Sequence, residues 1–210
     1  MGLFDQIKNK LEYTLKSEAR NSLGDVMDNV SDAAVNAIKN IGKGGNSSKK
    51  FKFDKIPETV DELKALPEAK LDTAFKTTAL VMLALMRYEQ DPETTLKMLD
   101  FLKGPDDTSN LEKQFLSERL NEKQYKVASF FEGAKPENDY KPSVPYTITV
   151  YENPYSFDTE NWAVMYVQSS GTDGLRPIKL RKKPSTGQWF IKEIQCLEDI
   201  RIPVSSDPWA

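Results

Sequence analysis

A chain of 210 residues is long enough for one good-sized domain with an appendage, and 39% hydrophobic and 29% charged residues are typical of a folded, water-soluble protein. Its 29 basic and 32 acidic residues leave a formal net charge of −3, so no overall positive field favours nucleic acid. The sequence has no histidine and a single cysteine, Cys196, which excludes an internal disulfide, Ser–His and Cys–His nucleophile pairs, and zinc sites of the usual His/Cys kind.

Membrane insertion and secretion have no support in the sequence. The longest apolar run covers residues 79–86, far short of the roughly 20 residues that cross a bilayer. No secretory segment follows the N-terminus, and Gln6 occupies the position where a myristoylation signal needs Ser or Thr. We therefore expect a cytoplasmic protein without a metal or a bound cofactor.

The first 41 residues predict a long amphipathic helix, either continuous or broken at Gly24. Apolar side chains recur at helical spacing, and from Leu23 onward they step by four and three residues in a heptad-like seam. The glycine- and serine-rich run 42–50 predicts a flexible linker to the next domain. The predicted apolar face comprises Leu3, Phe4, Ile7, Leu11, Leu15, Leu23, Met27 and Val30.

Three interpretations of this arm stay open: docking on its own globular domain, self-association or binding to another protein, and peripheral attachment to the inner face of the membrane. Residues 1–20 carry a net charge of +1, and each excess cation near an anionic lipid surface contributes only about 1 kcal/mol. Membrane attachment would therefore depend on burial of the apolar side chains. The seam after Leu23 is under three heptads long, so isolated pairing of this part would be marginal.

Residues 51–131 predict a helical layer. Thr59 with Glu62 and Ser109 with Glu112 have the spacing of capping boxes, and Asp91 before a proline is a typical helix start. Residues 70–89 are apolar on most sides in their second half, which predicts a buried central helix. The helix after Ser109 is predicted to turn four apolar side chains inward, namely Leu111, Phe115, Leu116 and Leu120.

From residue 140 onward the hydrophobic period changes to that of strands. Residues 146–151 alternate, 162–167 are apolar on both sides as in a central strand, and Asp173-Gly174 suits a hairpin turn. Strands at 178–180 and 189–196 follow, with a short last strand at 200–202. The predicted class is α+β, with the helical layer packed on a C-terminal antiparallel meander of four to five strands within a domain spanning 51–210.

Four long strings of the chain are familiar: FKFDKIPETVDELKALPEAKLDTAFKTTALVMLALMRYEQDPE, YTITVYENPYSFD, RPIKLRKKPSTGQWF and DIRIPVSSDPWA. Together they resemble an uncharacterised bacterial domain family that is frequent in Firmicutes of animal guts, over roughly residues 51–210. The resemblance implies a bacterial origin and an α+β domain, and it carries no activity or site residue to this chain.

The most site-like segment is YENPYSFDTENW, where carboxylates and aromatic rings lie close in sequence. It predicts an aromatic pocket for a sugar, a peptide or a small molecule, with or without weak hydrolase activity, or else a packed loop with solvated acids. The residues that such a pocket would use are Tyr151, Glu152, Tyr155, Asp158 and Trp162.

A basic cluster follows on the next predicted strand. Its members are Arg176, Lys179, Arg181, Lys182 and Lys183. This cluster indicates either a site for phosphate or an acidic partner, or the exposed side of a strand whose lysines prevent edge-to-edge aggregation.

The sequence contains no recognisable catalytic set, whereas the arm and the linker are prominent. We therefore expect a non-catalytic binding or interaction protein that uses its N-terminal helix for self-association or peripheral membrane attachment. Small-molecule or glycan binding at 151–162 is the alternative, and nucleic acid is not an expected partner.

Overall fold

The computed structural model describes residues 47–209. The predicted arm, with its assembly or membrane face, and residues 42–46 of the linker lie outside the described residues. Within the described part the predicted α+β class is confirmed, because five helices and a five-stranded sheet are present there.

The helices are α1 (Val60–Lys64), α2 (Ala74–Leu85), α3 (Pro92–Lys103), α4 (Asn110–Leu120) and α5 (Tyr125–Ala128). Short 3₁₀ turns lie at Pro67–Lys70, Pro136–Asn138 and Val204–Ser206. The strands are β1 (Ser47–Phe53), β2 (Tyr146–Glu152), β3 (Trp162–Gln168), β4 (Leu175–Lys183) and β5 (Gln188–Ile194). All neighbouring strands are antiparallel, and their order in the sheet is β1-β2-β3-β4-β5.

The helix starts follow the capping residues in the sequence. The Thr59 hydroxyl accepts a hydrogen bond from the Glu62 amide, and the Asp91 carboxylate accepts one from the Thr94 amide. At Ser109 the side chain accepts from the Glu112 amide while the Glu112 carboxylate accepts from the Ser109 amide. Each contact satisfies an amide that has no partner inside the helix, which fixes where α1, α3 and α4 begin.

Helix α2 lies at the centre of the core, as its composition predicts. Eleven of its twelve residues are buried, and it packs against β2, β3 and β5. The side of the sheet that meets the helices is formed by alternate strand residues with no exposed area, namely Ile148, Val150, Met165, Val167, Ile178 and Leu180. We call this side the inner sheet face.

Strand β1 corrects the predicted linker boundary. Residues 47–50, assigned to the flexible linker, pair with β2 in an unbroken register from Ser47–Glu152 to Phe53–Tyr146. The glycine- and serine-rich composition of 42–50 predicts a linker, whereas the structure places the polar Lys49 at an inner-face position of a strand. The structure accommodates that lysine by placing its ammonium 4.9 Å from the centre of the Phe75 ring.

Two other predictions differ from the structure. No strand forms at 200–202, so the fifth strand of the sheet is the N-terminal β1. Leu111, predicted to point inward, is 78% exposed. Leu116 and Leu120 define the buried side of α4, and a residue five positions before Leu116 lies about 140° around the helix from it.

The segment after α5 fills a gap in the sheet. Strands β2 and β3 pair at Val150–Val167 and Tyr151–Tyr166 and then diverge. Phe131 forms a bridge with Ile148 on one side of the gap, and the Ser129 carbonyl accepts from the Ser170 amide on the other. The diverging strands are thus held by a segment from the helical half.

Candidate functional site

A cleft between α4 and β5 forms a cavity with a volume of about 720 Å³. We call it the α4–β5 groove. Leu99, Leu116 and Ile191 are buried residues that line it, and the more exposed Phe115 and Leu111 add apolar surface on the α4 side. The groove is therefore an apolar depression that is open to solvent.

The charged residues that line the groove are mostly acidic. Four carboxylates and two ammonium groups contribute: Glu112, Glu118, Glu193, Glu198, Lys103 and Lys192. Glu118 accepts a hydrogen bond from the Gln114 amide group, and Lys192 pairs with Asp106 in the loop after α3. Three of the four carboxylates have a cationic partner, since Glu112 pairs with Lys103, Glu193 with Lys179 and Glu198 with Arg119. Glu118 therefore contributes most of the negative local field of the groove.

The ion pair between Lys103 and Glu112 joins α3 to the first turn of α4. The Lys103 side chain is only 8% exposed, whereas that of Glu112 is 38% exposed. Burial raises the pKa of the Glu112 carboxyl, but hydrogen bonds from Lys103 and Ser109 outweigh it and keep that pKa below its ordinary value. Glu112 is thus a carboxylate at neutral pH that also caps the helix.

The sequence did not reveal this groove. Its lining comes from residues 99–118 and 191–198, which are brought together only by the packing of the helical half on the edge strand. The one available signal is Leu111 with Phe115, an apolar pair near the start of α4, for which the sequence predicts a place in the core.

A second surface is the side of the sheet opposite the helices, which we call the outer sheet face. Directly opposed residues share a face, and the register gives Tyr151 opposite Tyr166 and Tyr166 opposite Pro177. One step along, Val164 lies opposite Lys179, and Trp162 opposite Arg181. These side chains are half-buried or exposed, with Trp162 at 36%.

The five residues predicted to form a ligand pocket are only partly brought together. Tyr151 and Trp162 lie on the outer sheet face, whereas Glu152 is opposite Ser47 and accepts a hydrogen bond from its hydroxyl at 2.6 Å. Tyr155 is 74% exposed in the loop between β2 and β3, and Asp158 is exposed in the same loop. None of the five lines the α4–β5 groove or the second cavity.

The predicted basic cluster is divided by the alternation of β4. Lys179, Arg181 and Lys183 belong to the outer sheet face. Lys182 belongs to the inner side, where its ammonium lies 5.8 Å from the centre of the Trp189 ring. Arg176 also leaves the cluster, and its guanidinium donates to the Asp199 carbonyl at 3.4 Å.

The second cavity, of about 350 Å³, lies between the β3–β4 turn and the segment 199–201. An ion pair between Arg201 and Asp173, at 2.8 Å, spans it. Both side chains are well exposed, so this cavity is a shallow surface feature with its charges already matched.

Cys196 is a core residue. It is completely buried, and burial raises the pKa of its thiol to about 12. In residues 47–209 no group of three or more His, Cys, Asp or Glu side chains is arranged to hold a metal ion. Over the same range no helix has the length and apolar character needed to cross a bilayer.

Comparison with known proteins identifies a family. The sequence profile of a family described as "Domain of unknown function (DUF6935)" matches residues 55–204. No curated protein and no solved structure matches the chain. The predicted resemblance to an uncharacterised domain family is thus confirmed.

Proposed function

Since the chain belongs to the family described as Domain of unknown function (DUF6935), which brings no activity with it, we propose a function from geometry: a non-catalytic binding module that holds an amphipathic, cationic ligand in the α4–β5 groove. The observation that carries this proposal is the combination of an apolar lining with a carboxylate-rich rim in one cleft.

The size and the lining of the groove support ligand binding. Its volume of about 720 Å³ falls within the roughly 300–1,000 Å³ of typical small-molecule sites. An apolar moiety placed on Leu116 and Ile191 would remove both its own surface and the exposed Leu111 from water. Such burial contributes about 25 cal/mol for each Å² of apolar surface removed from water.

The rim supports the choice of a cation. Glu118, Glu193 and Glu198 lie on both sides of the groove, and of these three only Glu118 is not already paired with a Lys or Arg within residues 47–209. A ligand with a positive group beside its apolar part would gain from this field, whereas an anionic ligand would be repelled.

The groove is held open by contacts on its own walls. The Lys103–Glu112 pair ties α3 to α4, and the Lys192–Asp106 pair ties β5 to the loop between those helices. Gly104 ends α3 with φ +73°, and a Cβ there would come within 2.5 Å of the Phe190 ring on β5. A site fixed in this way loses little freedom when it binds, which favours affinity.

A matched pair of amphiphiles tests the proposal. Dodecyltrimethylammonium, below its micelle concentration, should raise the unfolding temperature and give saturable heats in calorimetry, whereas dodecyl sulfate should not. Leu111→Gln should weaken binding by about fivefold or more, because an exposed contact of the groove is lost without disturbing the core. The control is Val204→Gln, an apolar side chain that is 43% exposed at a distant 3₁₀ turn.

Equal binding of both amphiphiles, or an equal effect of the two substitutions, would contradict a specific groove. Glu118→Gln tests the charge argument separately. It should weaken binding of the cationic amphiphile and leave the binding of a neutral alcohol of the same chain length unchanged.

The N-terminal arm enters this proposal as an assembly or attachment element, on the strength of its apolar periodicity. Light scattering and vesicle flotation of the full chain and of a variant lacking residues 1–45 test it. A change in neither measurement would count against both roles. The alternative pocket at 151–162 has less support, because its five residues lie on different surfaces.

A further inference from the structure

Positive charge is concentrated on the outer sheet face. Because side chains alternate along β1 and β4, five cationic residues project on this face: Lys50, Lys52, Lys179, Arg181 and Lys183. Among the paired strand residues of the same face, Glu193 is the acidic one. Lys179 is bound to Glu193 at 3.0 Å, and Lys50 is bound to Glu132 at 2.6 Å. Lys52, Arg181 and Lys183 are exposed, so the face keeps a clear positive excess.

The same face carries flat, partly exposed rings. Tyr151 and Tyr166 are directly opposed on neighbouring strands, and Trp162 lies four residues before Tyr166 on β3, about 13 Å along the strand. The Arg181 guanidinium lies 5.4 Å from the centre of the Trp162 ring, which joins a cation to an aromatic surface at one end of the row.

We propose that the outer sheet face binds single-stranded nucleic acid, independently of the α4–β5 groove. Bases would stack on Trp162 and on the tyrosine pair, and phosphates would contact the cations of β4. Lys179, Arg181 and Lys183 succeed one another at every second residue, so their stems leave the strand about 6.6 Å apart along one line that an extended polymer can follow.

The choice of this partner follows from the two features together. A neutral glycan would use the rings and leave the cations unpaired, and an acidic peptide would use the cations without a need for exposed rings. Single-stranded nucleic acid uses both, because proteins that bind it combine a positive surface along the backbone with aromatic side chains for the bases.

The net charge of −3 does not oppose this inference. Leaving aside Glu193, which belongs to the outer sheet face, three carboxylates and two ammonium groups line the groove, whereas the outer sheet face carries an excess of cations. The sequence total averages two fields that the fold separates, and a polyanion responds to the local one.

The test is the fluorescence anisotropy of a short, end-labelled oligothymidylate titrated with the full chain at several salt concentrations. We expect saturable binding that weakens as salt rises. Replacing two cations, in the double variant Arg181→Gln/Lys183→Gln, should flatten the slope of log affinity against log salt by about 1.4, since each phosphate contact with a single strand contributes about 0.7.

Two further variants separate stacking from charge. Trp162→Leu should reduce affinity by about fivefold or more and leave the salt slope unchanged, because it removes a stacking surface. The control Lys97→Gln/Lys113→Gln removes two exposed lysines from α3 and α4, away from the sheet, and should leave affinity within twofold of the unchanged chain.

Four results would overturn the proposal: no binding at low salt, an equal loss in the lysine control, an unchanged affinity in Trp162→Leu, or equally strong binding of polyglutamate of the same charge. The last would identify an acidic protein segment as the partner. Circular dichroism of every variant checks that the fold is retained before affinities are compared.

Discussion

Lys126 is a buried amine whose surroundings disfavour its charge. Its side chain belongs to α5, it is 9% exposed, and its ammonium donates to the Leu197 carbonyl at 3.3 Å. Burial lowers the pKa of Lys126, and the charges of Arg119 and Lys123 add to this, while Asp199 and Glu198 oppose it.

This lowered pKa makes a pH-dependent prediction. The unfolded chain keeps the ordinary pKa of about 10.4, so between the folded and the unfolded pKa it binds more protons and stability rises with pH. The free energy of unfolding of the natural chain should therefore rise, relative to that of Lys126→Met, as pH increases toward that value.

Urea unfolding at a series of pH values from neutral to alkaline measures this difference. Lys113→Met, at an exposed position of α4, is the control and should show a constant difference from the natural chain. A constant difference for Lys126→Met as well would mean that burial does not penalise its charge.

Helix α4 depends on Glu112 at two levels. The carboxylate completes the capping box with Ser109 and is the counter-charge of the buried Lys103. Glutamine at this position can still accept from the Ser109 amide but cannot neutralise Lys103. Glu112→Gln should therefore lower the free energy of unfolding at neutral pH by about 1–3 kcal/mol, the cost of a buried group without its partner.

The pH dependence of this substitution has the same direction as that of Lys126, because both pKa values are lowered in the folded state, but it falls in the acid range. Because the folded pKa of Glu112 is lowered, its contribution is complete above the unfolded value of about 4.3 and is lost as pH falls through the folded pKa. The difference between the natural chain and Glu112→Gln should shrink in acid. Glu118→Gln, one to two turns further along α4, should cost much less at any pH, and equal costs would refute the role of the pair.

The elements that the sequence predicted well are those whose determinants are local. Ser109 and Glu112 are three residues apart and specify the start of α4 by themselves, and the apolar run of α2 needs no partner to indicate burial. Leu111 was misplaced because the orientation of a helix in its first turn depends on what it packs against, which here is a strand some 80 residues away.

The candidate surfaces were harder to predict for the same reason. Tyr151, Trp162 and Arg181 were each singled out from the sequence, but in separate motifs. Their position on one face follows from the pairing of β2, β3 and β4, and a shift of one residue in register would move each to the other face. Residue types indicate chemistry, whereas register decides which residues act together.

At the scale of the whole molecule, β1 raises a question about where the folding unit begins. The family profile starts at residue 55, after this strand. Yet β1 pairs with β2 along its full length of seven residues, and Phe53 is buried in the core with an exposure of 3%. A chain that starts at 55 would expose the edge of β2 and the inner-face residue Ile148, which lies opposite Phe51.

Two truncations decide whether β1 is part of the domain. A variant lacking residues 1–46 keeps the strand and should unfold in one cooperative transition, with Cys196 inaccessible to a thiol reagent until that transition.

A variant lacking residues 1–54 loses the strand and Phe53. Removal of the Phe53 side chain alone should lower the free energy of unfolding by about 3–5 kcal/mol, a large part of the stability of a typical domain. Its Cys196 should therefore react under conditions in which the longer variant is protected, because a buried thiol with a pKa of about 12 reacts only when the core opens. Equal protection in the two variants would show that the sheet is complete without β1, and that the profile marks the true boundary.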